Sequence, residues 1–149
     1  MMRKLAALVA VLTAVGVMGG TASAASGTEH FLLRLDDLNG TPTVVASGLI
    51  NATGRDVSVS NSRDRFVFPQ GNLVIEHHAT STEEHFNPAT CTTRVDEDGA
   101  YRIVRGTGKY EGTSGSGTYE ATIVQVGCDP SNPTEFHVTL RASGPISID

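Results

Sequence analysis

The chain has 149 residues, with 11 Lys and Arg against 16 Asp and Glu, a net charge of −5, no tryptophan and two cysteines. That length suits one domain rather than two. The acidic balance argues against nucleic acid and anionic membrane surfaces as partners, because both are bound by releasing counterions to a positive protein surface.

The N-terminus reads MMRKLAALVAVLTAVGVMGGTASAAS. Arg3 and Lys4 form a short positive region, Leu5 to Met18 is apolar and uncharged, and Ala22-Ser23-Ala24 is a small-x-small cleavage signal. This three-part plan predicts a secretory signal peptide over residues 1–24, a secreted, extracellular product, and one mature domain over 25–149. The apolar run is shorter than the roughly 20 residues a spanning helix needs, so no membrane association is expected after cleavage. Loss of residues 1–24 removes two basic residues and leaves 9 basic against 16 acidic, a net of −7.

Beyond the leader, helical periodicity is absent and alternation at period two recurs, the pattern of half-buried strands. Phe31, Leu33 and Leu35 alternate with Leu32 and Arg34. Phe66 and Phe68 share a face in DRFVF. In NLVIEHH, Leu73, Ile75 and His77 oppose Val74, Glu76 and His78. Tyr101 and Ile103 flank Arg102, and Tyr119, Ala121 and Ile123 flank Glu120 and Thr122. In EFHVTLRAS, Phe136, Val138, Leu140 and Ala142 oppose Glu135, His137, Thr139 and Arg141.

Turn-forming clusters separate these runs: Asp37-Leu38-Asn39-Gly40, Thr53-Gly54, Pro69-Gln70-Gly71, Asp98-Gly99 and Asp129-Pro130-Ser131-Asn132-Pro133. The pattern predicts about eight strands at ~10-residue spacing, an all-β chain. An even number of hairpin-linked strands closes most simply as an eight-stranded antiparallel β-barrel, which removes exposed edges. A β-sandwich is the alternative that alternation cannot separate from it.

The stretch RGTGKYEGTSGSGTYEATI, Arg105–Ile123, carries Gly106, Gly108, Gly112, Gly115 and Gly117. A phosphate-binding loop must open a helix whose N-terminus holds the anion. Here the glycines lead into the strand-like TYEATIV, so they are read as bulges, corners or close backbone approaches. Tyr101, Tyr110 and Tyr119 recur at a spacing of nine, as strand positions in a core would.

Cys91 and Cys128 both fall in the mature part, 37 residues apart. An even count in an exported chain predicts a disulfide. Closing that loop contributes about 4 kcal/mol in the chain-entropy account. Neither cysteine has the close His or Cys neighbours of a metal site.

The segment IEHHATSTEEHFNPATC, Ile75–Cys91, gathers the candidate chemistry. A hairpin turning near Ser81 would set His77 opposite His85 and His78 opposite Glu84, near enough to share a proton or a metal. His77, on the face of Leu73 and Ile75, would point into a barrel as a general acid or base. The plain alternative is a polar hairpin end with solvated histidines. No HExxH-type spacing supports metal, and neither a metal nor a cofactor is expected. Glu76, Glu83, Glu84 and Glu111 could supply paired carboxylates but read as surface charge. Asn51-Ala52-Thr53 fits a glycosylation pattern.

The stretch GAYRIVRGTGKYEGTSGSGTYEATI, with Gly-Thr-Gly, an aromatic two positions on and glycines beyond, resembles the central motif of allene oxide cyclase-like and dirigent-like proteins. FVFPQGNLVI resembles the strand pair that precedes this motif in small secreted bacterial members. The similarity runs over Asp64–Val126, and Arg105 stands where a glycine is usual. It implies an eight-stranded antiparallel barrel of the calycin type, with an inner cavity for a small apolar molecule, and it makes an oligomer an expected form. In the plant proteins such a cavity guides cyclisation of an unstable epoxide or orients radical coupling. None of their reactive residues matches a position here, and a fold does not bring its chemistry with it.

The expected function is therefore a secreted barrel that binds a small apolar ligand in its cavity or a partner on its surface. The alternative is a cofactor-free isomerase or cyclase of the allene oxide cyclase-like type, with His77 as its acid or base. For the partner surface, the expected connections at Thr80–Thr93 and Cys128–Thr134 are the places to look for exposed apolar groups.

Overall fold

The computed structural model describes residues 23–129 and 131–149; the expected leader lies outside them except for Ser23 and Ala24, which are exposed. The chain forms β1 (Ala25–Leu35), β2 (Thr43–Ser47), β3 (Ala52–Ser60), β4 (Arg63–Phe68), β5 (Gly71–Asn87), β6 (Thr92–Gly106), β7 (Ser114–Val126) and β8 (Glu135–Ile148). One 3₁₀ turn, Gly108–Tyr110, lies between β6 and β7. Each strand pairs antiparallel with the next, and β8 returns to β1 along its whole length, from Ala25↔Ile148 to Leu35↔Val138. The sheet is thus a closed eight-stranded barrel, not a sandwich. Closure leaves no row of unpaired backbone groups along β1 and β8.

The alternating runs supply the interior. Phe31, Leu33, Phe66, Phe68, Leu73, Ile75, Tyr101, Ile103, Tyr119 and Ala121 are all buried. Successive strand side chains point to opposite faces, so every second residue enters the barrel. Aromatic rings pack together in the interior: Phe31 lies tilted on Phe66 and edge-on to Tyr101. These rings explain two of the glycines. A Cβ at Gly117 would come within 2.7 Å of the Tyr101 ring, and one at Gly99 would run into the Tyr119 ring. Each ring crosses a neighbouring strand where that strand has no side chain.

One end of the barrel is plugged. The β2–β3 turn folds Ile50 inward, 2 % exposed, and its N–H donates to Oε2 of buried Glu29 at 2.9 Å. The 3₁₀ turn folds Tyr110 in against Phe68, with ring centroids 5.7 Å apart. Tyr110 therefore serves the core from a turn rather than from the strand position its spacing predicts.

The other end is a mouth. β4 begins at Arg63, opposite Glu76, so β5 beyond His77 has only β6 beside it. β5, β6 and β7 continue past the mouth as a projection, while β8 stays paired with β1 as far as Val138. The expected turn near Ser81 does not exist, because β5 runs unbroken from Gly71 to Asn87 and the reversal comes at residues 88–91. Asp98-Gly99 and Thr53-Gly54 are likewise inside β6 and β3, not turns. Their pairing partners on both sides outweigh their local turn preference. Cys91 and Cys128 are disulfide-bonded, with Cα atoms 4.7 Å apart, and Gly127 N–H donates to the Cys91 carbonyl at 2.8 Å. This clamp joins the β5–β6 reversal to the start of the β7–β8 connection.

Candidate functional site

The mouth holds a cavity of about 150 Å³. Its walls are mainly apolar: Phe31, Leu33, Phe66, Ile75, Ala121, Ile123, Val138, Leu140 and Ala142, with Tyr101 and Tyr119. Asp64, His77 and Glu97 complete the lining. Strand order makes the arrangement one-sided. Asp64 of β4, His77 of β5, Glu97 of β6 and Tyr119 of β7 come from consecutive strands and form a polar arc. β8 and β1 close the ring with Val138, Leu140 and Leu33.

The polar arc is internally paired. His77 Nε2 lies 3.0 Å from Asp64 Oδ2, both side chains partly exposed at 28 % and 21 %. The Tyr119 hydroxyl donates to Glu97 Oε1 at 2.7 Å, and its ring stands edge-on to His77, centroids 6.1 Å apart. Burial, with that carboxylate, holds the Tyr119 hydroxyl above the ordinary phenol range. Asp56, opposite Phe66 across β3 and β4, stands beside Asp64. Burial and then the Asp64 charge push its carboxyl up to about 7, and its buried Oδ1 has no hydrogen-bond partner among the described residues. Tyr101, on the same wall, is 5 % exposed and its Oη also lacks a partner among the described residues; burial pushes this hydroxyl up to about 12.

His77 therefore lines the barrel mouth, as its alternation with Leu73 and Ile75 predicts. His85 does not join it. His77 pairs across to Tyr101 and His85 to Arg94, eight residues farther along the strand, about 26 Å by strand geometry. The faces differ as well. The register passes from Ala79↔Gly99 to Ser81↔Asp98, leaving Thr80 as an extra residue whose hydroxyl donates to the Asp98 carbonyl at 3.1 Å. This bulge inverts the alternation, so His85 turns outward with 68 % of its side chain exposed. His78 pairs with Ala100, not Glu84. Among the described residues, no group of three or more His, Cys, Asp or Glu side chains is arranged to hold a metal ion.

The carboxylates singled out from sequence are not those in the cavity. Glu76 lies on the outer surface, bound by Arg63 and Arg102. Asp64 and Glu97 were legible by parity: Asp64 stands two before Phe66, and Glu97 four before Tyr101, on the inward phase of their strands. Asn51 is exposed on the β2–β3 turn, and its Nδ2 donates to the Gly48 carbonyl at 3.0 Å. No protein-family model matches this chain, and no curated protein or solved structure matches it either.

Proposed function

We propose that the chain is an exported barrel that holds a small apolar molecule in its mouth cavity. The observation that carries the reading is the cavity itself, about 150 Å³ with aliphatic and aromatic walls, open beside a paired polar arc. A concave apolar site with a few converging polar groups is the usual form of a small-molecule site. A cavity of this size accommodates about one benzene-sized ring. Export and membership of the allene oxide cyclase-like or dirigent-like families are part of the same proposal. They rest on the leader pattern and on the Asp64–Val126 motif.

The test is titration of the mature protein with 2-phenylethanol, followed by methyl NMR. Saturable shifts at Ile75, Ile123 and Leu140, with none at outward-facing Val104, are expected. Ala121→Leu, with its fold verified by circular dichroism, should abolish them by filling the site. No saturable shift at millimolar probe would end the proposal.

The His77–Asp64 contact favours a second reading, an isomerase or cyclase in the same cavity. A histidine oriented by a carboxylate and facing an apolar site is equipped to move a proton. Native mass spectrometry of unstripped protein would identify a retained ligand. Conversion of that ligand by wild type, lost in His77→Ala, would support catalysis. Equal conversion by both proteins would remove His77 from the reaction.

A further inference from the structure

The polar arc also bears on the ligand's charge. We propose that the occupant is a small apolar cation, a protonated amine carried on a body of about one ring. This rests on the mouth cavity being a ligand site. Two carboxylates, Asp64 and Glu97, line the cavity, and among the described residues no Lys or Arg does so. The described arginines beside the mouth point outward; Arg63 and Arg102, for example, are spent on Glu76. An anion entering here would meet like charges in a poorly solvated site.

The acids alone would not define a ligand; the rest of the wall does. Phe31, Phe66 and Tyr101 put aromatic rings into the wall, and an aromatic ring attracts a cation over its face. Tyr101, almost wholly buried on that wall, has an Oη with no partner among the described residues, an acceptor for an N–H donor. Beside Asp64, Asp56 keeps a buried oxygen equally unmet. A bound cation relieves the mutual repulsion of Asp56 and Asp64, which Coulomb attraction from His77 meets only in its protonated form.

The experiment compares three probes that share a 2-phenylethyl body, 2-phenylethylamine, 2-phenylethanol and 3-phenylpropanoate, by calorimetry at pH 8. The amine should bind about tenfold tighter than the alcohol, and the carboxylate not measurably. In Asp64→Asn and Glu97→Gln, each with its fold verified, the amine-to-alcohol ratio should fall toward one; His85→Ala, far from the mouth, should leave it unchanged. Lowering the pH from 8 to 5.5 should also reduce the ratio. Asp56, whose carboxyl sits at about 7, then takes up a proton and its charge no longer adds to the attraction for the amine. β8 and β1 face the arc with Val138, Leu140, Ala142, Phe31 and Leu33, none of them ionisable. An alcohol that binds as tightly as the amine, or a ratio that survives both amide variants, would overturn the cation. Binding of none of the three probes would overturn the ligand site itself.

Discussion

The ring of Tyr119 lies in the space that a Cβ at Gly99 would occupy. The two residues face each other across β6 and β7. The hydroxyl of the same tyrosine reaches Glu97, two residues before Gly99 on β6. One missing side chain thus sets the position of an aromatic wall of the cavity and of the carboxylate bound to it.

Gly99→Ala should therefore destabilise the barrel by about 1–3 kcal/mol, the usual cost of overpacking. Tyr119→Ala removes the obstruction, so Gly99→Ala should cost much less in that background. The coupling between the two, read from urea denaturation, should be about 1–2 kcal/mol. Additive effects would show that the ring does not depend on the glycine.

Glu29 is fully buried at the plugged end, where burial holds its carboxyl above the ordinary range. One oxygen accepts from Ile50 N–H and the other has no partner among the described residues. Glu29→Ala should cost about 2–3 kcal/mol, because it leaves the Ile50 N–H buried and unpaired. Glu29→Gln keeps an acceptor and carries no charge, so it should cost under about 1 kcal/mol at neutral pH. Equal losses in the two variants, by thermal unfolding, would show that the hydrogen bond is not what matters.

Asp56 gives the mouth a pH-dependent stability. Its folded carboxyl sits at about 7, against 3.8 for an ordinary aspartate. The folded chain therefore binds this proton more tightly than the unfolded chain. The resulting stability is complete below the unfolded value and is lost as pH rises through about 7. Asp56→Asn should be more stable than wild type at pH 8 by about 1–2 kcal/mol, a figure reduced for the partial exposure of the side chain. The two proteins should converge near pH 4. A constant difference across denaturation curves at both pH values would contradict the assignment.

Removing the disulfide tests the projection separately from the barrel. Cys91→Ser with Cys128→Ser should lower unfolding free energy by about 2–4 kcal/mol. The far-ultraviolet spectrum should stay that of a β-protein, since the β1–β8 closure involves neither cysteine. Loss of all β signal would mean that the clamp is required for the fold itself.

Much of this was legible in the sequence because the strand repeat is local. Phe66 with Phe68, Leu73 with Ile75, and Tyr119 with Ala121 declare their inward faces within a few residues. The two cysteines declare their pairing through their even count, and the glycines after Arg105 exclude a phosphate loop because they lead into a strand. Those features depend on covalent geometry and neighbouring side chains alone. Tertiary structure decided the rest. Whether the sheet closes depends on β1 meeting β8 across more than a hundred residues. Which histidine enters the mouth depends on the extra residue at Thr80, and a bulge is a property of two paired strands, invisible in either one. Asp98-Gly99 reads as a turn until β5 and β7 pair on both sides of β6, because hydrogen bonds from two neighbours outweigh a local preference for reversal.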